Sequence, residues 1–226
     1  QGFQKDLFKE AHQKAYDEKY LGTDDVSLVE HLGQPVHIVS GDYCNIKVTT
    51  PNDIAVAKRY LGIEDKRMRV GFGYDIHQLK AGRPCILGGV HIESKLGPDG
   101  HSDADVLIHA LMDAMLGAAG LRDIGYYFPP EDDQYKGISS MLLLEKVNFL
   151  LKERGLQAYN IDIMVISETP KLKPHIDMMK ANLQSILEIP LDRISIKATT
   201  NEMLGAIGRR EGIAAQAVVS VYEGEI

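Results

Sequence analysis

The N-terminal part of the chain combines amphipathic helical patterns with short alternating segments. Helical spacing of apolar residues occurs at Leu7, Phe8, Ala11 and Ala15, and again at Val26, Val29 and Leu32 behind the capping candidates Thr23, Asp24 and Asp25. Residues 35–39 and 45–49 have patterns of apolar and polar side chains that predict two short strands, on either side of a turn-prone Ser-Gly-Asp sequence. Thr50 and Pro51 then predict the start of a helix that reaches about Leu61.

From Met68 onward, the pattern mixes strands and helices without strict alternation. Strands are predicted at residues 68–76, 86–92, 159–167, 193–199 and 214–222, and helices at 102–119, 139–154 and 174–187. This mixture is typical of an α+β protein, a two-layer sandwich in which helices cover one face of a mixed sheet, rather than of a doubly wound sheet.

A run of charged residues, Glu64-Asp65-Lys66-Arg67, separates the two parts and is the candidate linker. We therefore predict two domains, residues 1–64 and 65–226. A segment as short as the first buries only a modest core by itself, so we expect additional residues of a longer chain, or a partner, to stabilise it. With Gln1 in first position, we also expect the sequence to be part of a longer protein.

Composition and charge exclude several classes of protein. With 44% apolar and 25% charged residues, the chain has the balance of a globular protein, and its apolar runs are far shorter than the ~20 residues that cross a bilayer, so no membrane partner is expected. A net charge of −7 argues against a nucleic-acid partner. The isolated Cys44 and Cys85 suit a reducing compartment, the cytoplasm, or the plastid stroma if the organism has plastids.

Residues 73–77, Gly-Tyr-Asp-Ile-His, carry the first candidate chemistry. Alternate residues of a strand share a face, so Asp75 and His77 point the same way. His109 lies on a predicted helical stripe between Asp105 and Asp113, either of which could orient it. An Asp/His/His set leaves one tetrahedral position of a zinc ion open, as catalytic zinc sites do. On spacing alone, a surface ion pair at His109 remains the competing interpretation.

A second polar cluster follows the strand predicted at 193–199. Hydroxyls and backbone amides of residues 197–205 can hold phosphate, and Glu202 can bind Mg²⁺. The glycines of this stretch could instead simply form turns. The Pro-bounded loop at residues 167–175 could be either a plain connection or a ligand-binding loop. His101 could contact substrate, or it could belong to the start of a helix capped by the Ser102-Asp103 pair.

Taken together, these motifs resemble the 2-C-methyl-D-erythritol 2,4-cyclodiphosphate synthases of the non-mevalonate pathway of isoprenoid biosynthesis. The resemblance runs from residue 68 to about 224 through Gly-Tyr-Asp-Ile-His (73–77), Gly-Gly-Val (88–90), His-Ser-Asp-Ala-Asp (101–105) with His109, Asp-Ile-Gly-Tyr-Tyr-Phe-Pro (123–129), Pro-Lys-Leu (170–172) and Lys-Ala-Thr-Thr-Asn-Glu-Met-Leu-Gly (197–205). It implies a homotrimer with active sites between subunits. Each site would cyclise 4-diphosphocytidyl-2-C-methyl-D-erythritol 2-phosphate and release CMP.

The resemblance also implies roles for individual residues. Asp75, His77 and His109 would hold one Zn²⁺ per subunit, and Glu202 would bind the Mg²⁺ or Mn²⁺ that accompanies the substrate. Thr200 would hold the diphosphate and act with Glu202 in catalysis. Asp123 and Gly125 would hold the methylerythritol, bordered by the stretch from Phe128 to Asp132. Further substrate contacts would come from His101 and Ser102 (2-phosphate), Ser167, Pro170, Lys171, Leu172, Lys173 and Thr199 (cytidine), and Arg209 near the trimer axis.

Residues 1–62 resemble the C-terminal end of the cytidylyltransferase that makes 4-diphosphocytidyl-2-C-methyl-D-erythritol, an α/β nucleotidyltransferase. The matching pieces are Gln-Gly-Phe (1–3), Thr-Asp-Asp (23–25) and Asn-Ile-Lys-Val-Thr-Thr-Pro (45–51). The resemblance implies a bifunctional fusion enzyme, with Thr23 and Lys47 in a partial cytidylyltransferase site, and no cytidylyl transfer is expected from these residues alone. Two alternatives remain: a zinc phosphohydrolase, and a trimeric scaffold without catalysis.

Overall fold

The computed structural model of the chain describes residues 1–63 and 68–223. The chain divides into two compact units, residues 1–63 and 64–226. The predicted linker at residues 64–67, with the predicted domain boundary at Asp65, lies outside the described residues.

The first unit contains the three helices predicted from the sequence, α1 (Lys5–Asp17), α2 (Asp25–His31) and α3 (Pro51–Tyr60). The Asp24 side chain accepts a hydrogen bond from the Ser27 amide at the start of α2, and Thr50 does the same for Asp53 at the start of α3. Each cap satisfies an amide that has no partner within its helix. The buried residues on these helices are few: Ala11, Ala15 and Val29.

The strands predicted at residues 35–39 and 45–49 are wrong, because both stretches have no regular secondary structure. Their side chains are largely exposed, with Ile38 at 97% and Val39 at 82%. A strand is stable only when a neighbour completes its backbone hydrogen bonds, and the described residues of this unit provide no such neighbour.

The second unit mixes strands and helices, as the sequence predicts. In chain order its elements are β1 (Met68–Ala81), β2 (Cys85–Leu87), β3 (Val90–Ile92), β4 (Leu96–Asp99), α4 (Val106–Ala118), α5 (Ile124–Tyr127), α6 (Ser140–Lys152), β5 (Leu156–Ile166), α7 (Ile176–Leu187), β6 (Ile194–Thr199), α8 (Gly205–Gly208) and β7 (Gly212–Glu223). No helix in the described ranges is both long enough and apolar enough to span a bilayer.

Five strands form a mixed sheet in the order β4-β1-β7-β5-β6. β7 is antiparallel to both β1 and β5, whereas β5 and β6 are parallel. Inward residues of the sheet, such as Ile161, Ile163 and Val219, are fully buried together with almost the whole of α4. The α+β prediction of a mixed sheet with helices is confirmed.

Three local predictions need correction. The single strand predicted at residues 86–92 is the hairpin β2–β3, which turns at Gly88 and Gly89. Strand β4 is absent from the sequence prediction because its Gly97-Pro98 pair is typical of turns. The helix predicted from Ser102 begins only at Val106, because Ala104 has a positive φ of 59° and Asp105 is the residue that caps α4.

Candidate functional site

Strand β1 and helix α4 approach each other at backbone distance. A Cβ atom on Gly73 would lie 2.0 Å from the Ala110 carbonyl oxygen, and one on Gly71 would lie 2.0 Å from that of Ala114. Only glycine permits this contact. Asp75 and His77 follow on the same face of the strand, so they reach the first turn of α4, which carries His109.

Three side-chain atoms form a compact triangle there. Asp75 Oδ2 lies 2.9 Å from His77 Nε2 and 3.0 Å from His109 Nδ1, and the two imidazole nitrogens are 3.2 Å apart. Ligands bound tetrahedrally at 2.0–2.1 Å stand about 3.3 Å from one another. The triangle therefore has nearly the size of one face of a zinc coordination shell, and the donor set fits that ion.

The remaining ring nitrogens are held by neighbours. His77 Nδ1 donates to the Asp99 carbonyl oxygen at 2.9 Å. His109 Nε2 lies 3.1 Å from Ser102 Oγ and 3.0 Å from Ser140 Oγ, and the Ser140 hydroxyl itself donates to Asp103. These bonds fix the tautomers that leave His77 Nε2 and His109 Nδ1 free to bind a metal.

Within the described ranges, neither predicted orienting carboxylate hydrogen-bonds the His109 ring, so that prediction is wrong; Asp105 meets His109 only through the backbone, where its carbonyl oxygen accepts from the His109 amide at 3.0 Å. Asp105 accepts hydrogen bonds from the Gly89 and Ile108 amides. Asp113 accepts one from the Ile124 amide. The orienting residues are instead Ser102, which the sequence suggested for another role, and Ser140, whose position in the chain gives no sequence signal.

Electrostatics of the cluster favour a cation. Burial by itself raises the pKa of Asp75, but hydrogen bonds and charges of His109 and His77 outweigh it and hold this pKa well below its usual range. Burial likewise lowers the pKa of His77, yet the hydrogen bond and charge of Asp75 raise it by more. Asp75 therefore stays ionised and stabilises positive charge at this point, whether from a proton or from a metal ion.

The triangle opens into a cavity of about 310 Å³. Four residues predicted to contact substrate share its lining with the metal-site residues: His101, Ser102, Gly125 and Phe128. Asp123 and Asp132 are not in the lining, and Asp132 instead caps the short 3₁₀ helix Asp133–Tyr135. Pro130, within the stretch from Phe128 to Asp132 that was expected to border the methylerythritol, also lines the cavity. The sequence analysis missed three further lining residues, Ile124, Tyr135 and Leu143, because an apolar or aromatic wall has no motif of its own.

The second polar cluster lies at the ends of β5 and β6. Thr200 Oγ1 donates to Glu202 Oε1 at 2.8 Å, and the Ser167 amide donates to the Thr199 carbonyl oxygen at 2.9 Å. The Glu168 carboxylate, which the sequence analysis did not single out, accepts hydrogen bonds from the amides of Asn201 and Met203. The predicted cytidine loop and the predicted Mg²⁺-binding loop are therefore in direct contact.

Other predicted contacts are spread around this cluster. Lys171 is exposed and Lys173 begins a short 3₁₀ helix, whereas Leu172 is buried in the core. Pro170 lines a second cavity, of about 670 Å³, with Lys95 and Arg210 among its neighbours. Arg209 forms a two-point ion pair with Glu211, with nitrogen–oxygen distances of 2.8 and 3.1 Å.

The two clusters lie at the same level of the sheet but on different strands. Ile76 on β1 pairs with Ala214, Ala214 with Ile166, and Ile166 with Thr199. With strands about 4.8 Å apart, three steps separate β1 from β6 by about 14 Å. One chain therefore does not bring the metal triangle and the Thr200–Glu202 pair together.

The predicted partial cytidylyltransferase residues lie in the first unit. Thr23 and Lys47 are both exposed. A hydrogen bond from the Ser27 amide lowers the pKa of Asp24, and the charge of Lys47 adds a smaller effect. Lys47 is therefore close enough to the start of α2 to act on it electrostatically.

Comparison with known proteins identifies both parts of the chain. Residues 68–222 match the YgbB family, and residues 1–63 match the 2-C-methyl-D-erythritol 4-phosphate cytidylyltransferase family. The 2-C-methyl-D-erythritol 2,4-cyclodiphosphate synthase of Synechococcus elongatus is 59% identical over 152 residues, which cover 67% of this chain and 95% of that protein. The bifunctional enzyme IspD/IspF of Desulforudis audaxviator is 49% identical over 221 residues, which cover 98% of this chain but 56% of the relative.

A solved structure agrees with these matches. The CDP complex of IspF from Plasmodium falciparum superposes with a TM-score of 0.62 at 32% identity, covering 70% of this chain and 97% of that one. The chain spans little more than half the length of the bifunctional relative. The resemblance drawn from the motifs is confirmed for both segments, and the chain belongs to the YgbB family together with the 2-C-methyl-D-erythritol 2,4-cyclodiphosphate synthases.

Proposed function

We propose that residues 68–222 convert 4-diphosphocytidyl-2-C-methyl-D-erythritol 2-phosphate to 2-C-methyl-D-erythritol 2,4-cyclodiphosphate and CMP, a phosphorus–oxygen lyase reaction. An oxygen of the 2-phosphate attacks the β-phosphorus, and the bond from that phosphorus to the α-phosphate oxygen breaks. The observation that carries the proposal is the Asp75/His77/His109 triangle, which opens into a cavity beside His101 and Ser102 in a chain of this family.

The residues of the metal triangle would contribute mainly by positioning a phosphate group. Asp75, His77 and His109 would hold Zn²⁺, which when bound supplies a Lewis acid for a phosphate oxygen at its open position. His101 and Ser102 would orient the 2-phosphate beside it. An intramolecular attack gains chiefly from such positioning, because nucleophile and phosphorus already belong to one molecule.

The Thr200–Glu202 pair would stabilise the CMP leaving group. Glu202 would ligate Mg²⁺ or Mn²⁺ on the diphosphate, an ion that neutralises charge developing on CMP. Thr200 would donate its hydroxyl hydrogen to a diphosphate oxygen instead of to Glu202. This exchange of partners keeps Thr200 satisfied both with and without substrate.

The rest of the substrate would lie along the loops between these groups. Cytidine would contact Ser167, Pro170, Lys171, Lys173 and Thr199, with Leu172 contributing its backbone. The methylerythritol would lie near Gly125 and Phe128 in the cavity, with Asp123 and Asp132 reaching it from the rim. The CDP complex of the Plasmodium falciparum relative supports a cytidine nucleotide as ligand.

We propose a homotrimer in which each active site combines the metal triangle of one subunit with the Thr200–Glu202 pair of its neighbour. Two observations support it. Two strands lie between β1 and β6, which places the strands that carry the clusters about 14 Å apart within a chain. The sheet face away from the helices exposes Val70 (67%), Phe72 (61%), Tyr74 (47%) and Ile76 (48%) on one strand. A continuous apolar face of this kind is typical of a protein interface. Arg209 would lie near the three-fold axis.

Residues 1–63 would belong to the cytidylyltransferase part of a bifunctional enzyme, with Thr23 and Lys47 in its methylerythritol phosphate site. We expect no cytidylyl transfer from these residues alone. The cytoplasm, or plastid stroma, remains the predicted compartment, and the exposed thiol of Cys44 is in keeping with a reducing environment.

Phosphorus NMR of the chain with 4-diphosphocytidyl-2-C-methyl-D-erythritol 2-phosphate and Mg²⁺ tests the proposal. Signals of the cyclic diphosphate and CMP should grow, and a strong chelator should stop them. Incorporation of ¹⁸O from labelled water into the product would instead indicate the phosphohydrolase. A zinc-loaded trimer without turnover would favour the scaffold.

A further inference from the structure

The carboxylate of Glu168 connects two loops at the edge of the second cluster. Glu168 follows the end of β5, and its Oε1 accepts hydrogen bonds from the amides of Asn201 at 3.0 Å and Met203 at 3.1 Å. Those amides belong to the loop that carries Glu202. A single oxygen atom therefore binds the backbone on both sides of this residue.

The bound loop has an unfavourable backbone. Glu202 and Met203 have φ values of 49° and 59°, in the left-handed region that side chains with a Cβ atom rarely adopt. Helix α8 also packs closely against the loop, since a Cβ on Gly208 would lie 2.1 Å from the Met203 carbonyl carbon. Such a conformation persists only where its surroundings hold it.

This conformation determines where Glu202 points. In it, the Glu202 carboxylate lies 2.8 Å from the Thr200 hydroxyl. If residues 202 and 203 relaxed to negative φ, the direction of the Glu202 side chain would change and this pair would separate. The arrangement of both groups therefore depends on the two amide hydrogen bonds to Glu168.

We propose that Glu168 is a positioning residue for the reaction: it holds the strained loop so that Glu202 and Thr200 meet the diphosphate together. This inference rests on the proposed function. Glu168 acts through the Asn201 and Met203 amides as a hydrogen-bond acceptor, so an acceptor of the same length can replace it, whereas its negative charge is not required.

Three variants of the full chain separate geometry from charge. Glu168→Gln keeps an acceptor oxygen at the same reach, Glu168→Asp keeps the charge but withdraws it by one methylene, and Glu168→Ala removes both. We expect Gln to retain kcat within about threefold, and Asp and Ala to lower kcat by about tenfold or more, since a misplacement of about 1 Å can cost that much. Glu153→Ala, which removes an exposed glutamate after α6, is the matched control.

Hydrogen–deuterium exchange gives a readout that does not depend on activity. Peptides covering residues 199–205 should exchange faster in the Ala and Asp variants and at the wild-type rate in Gln and in the control. An active Asp variant with an impaired Gln variant would overturn the proposal, because it would show that charge matters and the length of the acceptor does not. Unchanged exchange and kcat in the Ala variant would also overturn it, by showing that Glu168 does not hold the loop. If wild-type chain itself fails to turn over substrate, the proposed function is at fault, while the exchange pattern still decides the role of Glu168 in holding the loop. The Gln and Asp variants, which keep an acceptor, serve the test even if Ala does not fold.

Discussion

Gly73 of β1 lies so close to Ala110 of α4 that a Cβ atom on the glycine would stand 2.0 Å from the Ala110 carbonyl oxygen. This contact packs the backbone of a strand directly against the backbone of a helix that lies more than thirty residues later in the sequence. Asp75 lies two residues beyond Gly73, and His109 directly precedes Ala110. The metal triangle is therefore a direct consequence of the close packing.

Replacing Gly73 by Ala should separate the strand from the helix. The methyl group would meet backbone atoms of Ala110 and Ala114, which cannot rotate away, so we expect a loss of roughly 1–3 kcal/mol or more in free energy of unfolding. Zinc affinity should fall about tenfold or more, because the ligands are displaced together. Urea denaturation and a zinc titration measure the two effects.

The control is Gly117→Ala on the same helix. A Cβ there would approach only the Phe72 carbonyl oxygen, at 3.9 Å. Alanine is favoured over glycine inside a helix by up to about 1 kcal/mol, so this variant should be at least as stable as the wild type and keep its zinc. Equal behaviour of the two variants would contradict the packing argument.

Replacing His109 by Ala should abolish zinc binding and turnover. The change removes one of the three proposed metal ligands and leaves Asp75 and His77 in place. Elemental analysis should show about one zinc per wild-type chain and almost none in the variant. The exposed His91 on β3 offers a matched control, and His91→Ala should keep both metal and activity. A fully zinc-loaded, active His109→Ala variant would refute the ligand assignment.

Much of this could be predicted from the sequence because the relevant signals are local. The Asp-x-His spacing in β1 places two ligands on one face, and apolar periodicity identifies α4, which carries the third. Only the packing of β1 against α4 had to be learned from the structure. Ser140 and Glu168 could not be predicted, since each acts on a residue more than thirty positions away through the tertiary fold. The strands expected at 35–39 and 45–49 failed for the related reason that an alternating pattern indicates pairing ability but does not supply the partner.

Changing Glu202 to Gln should slow turnover while cytidine nucleotides still bind. The amide lacks the charge that a divalent ion requires, but the proposed nucleotide contacts lie on the loop at residues 167–173. We expect kcat to fall by about a hundredfold or more, with the Kd for CDP in the absence of metal within about threefold of wild type. Turnover assays at varied Mg²⁺ and calorimetric CDP titrations measure these values. An unchanged Mg²⁺-dependent rate would contradict the role of Glu202.

Removing residues 1–63 should leave cyclisation intact. Among the described residues, the buried core cluster of the second unit runs from Leu79 to Val221 and forms one continuous core of its own. We expect kcat and the thermal midpoint of the shortened chain to match those of the full chain, with kcat within about threefold. Phosphorus NMR and calorimetry provide the measurement. An unfolded product would show that the first unit stabilises the second.

Asp105 should make the free energy of unfolding depend on pH. Burial raises the pKa of this carboxyl to about 6 from 3.8, hydrogen bonds from the Gly89 and Ile108 amides oppose that rise, and the neighbouring Asp103 adds to it. The folded chain therefore holds the Asp105 proton more tightly than the unfolded chain does. The stabilisation from that proton is complete below pH 3.8 and is lost as the pH rises through 6.

Urea denaturation between pH 4.5 and 7, at one protein concentration, tests the sign. In the wild type, Asp105 should lower the free energy of unfolding with rising pH by up to about 1.4 kcal/mol per unit. Asp105→Asn cannot ionise, so the free energy of unfolding of the wild type minus that of the variant should decrease from pH 4.5 to about pH 6 and level off above it, even if the variant is less stable throughout. A constant difference would show that Asp105 is ionised in the folded chain across the whole interval, and that its amide hydrogen bonds outweigh its burial.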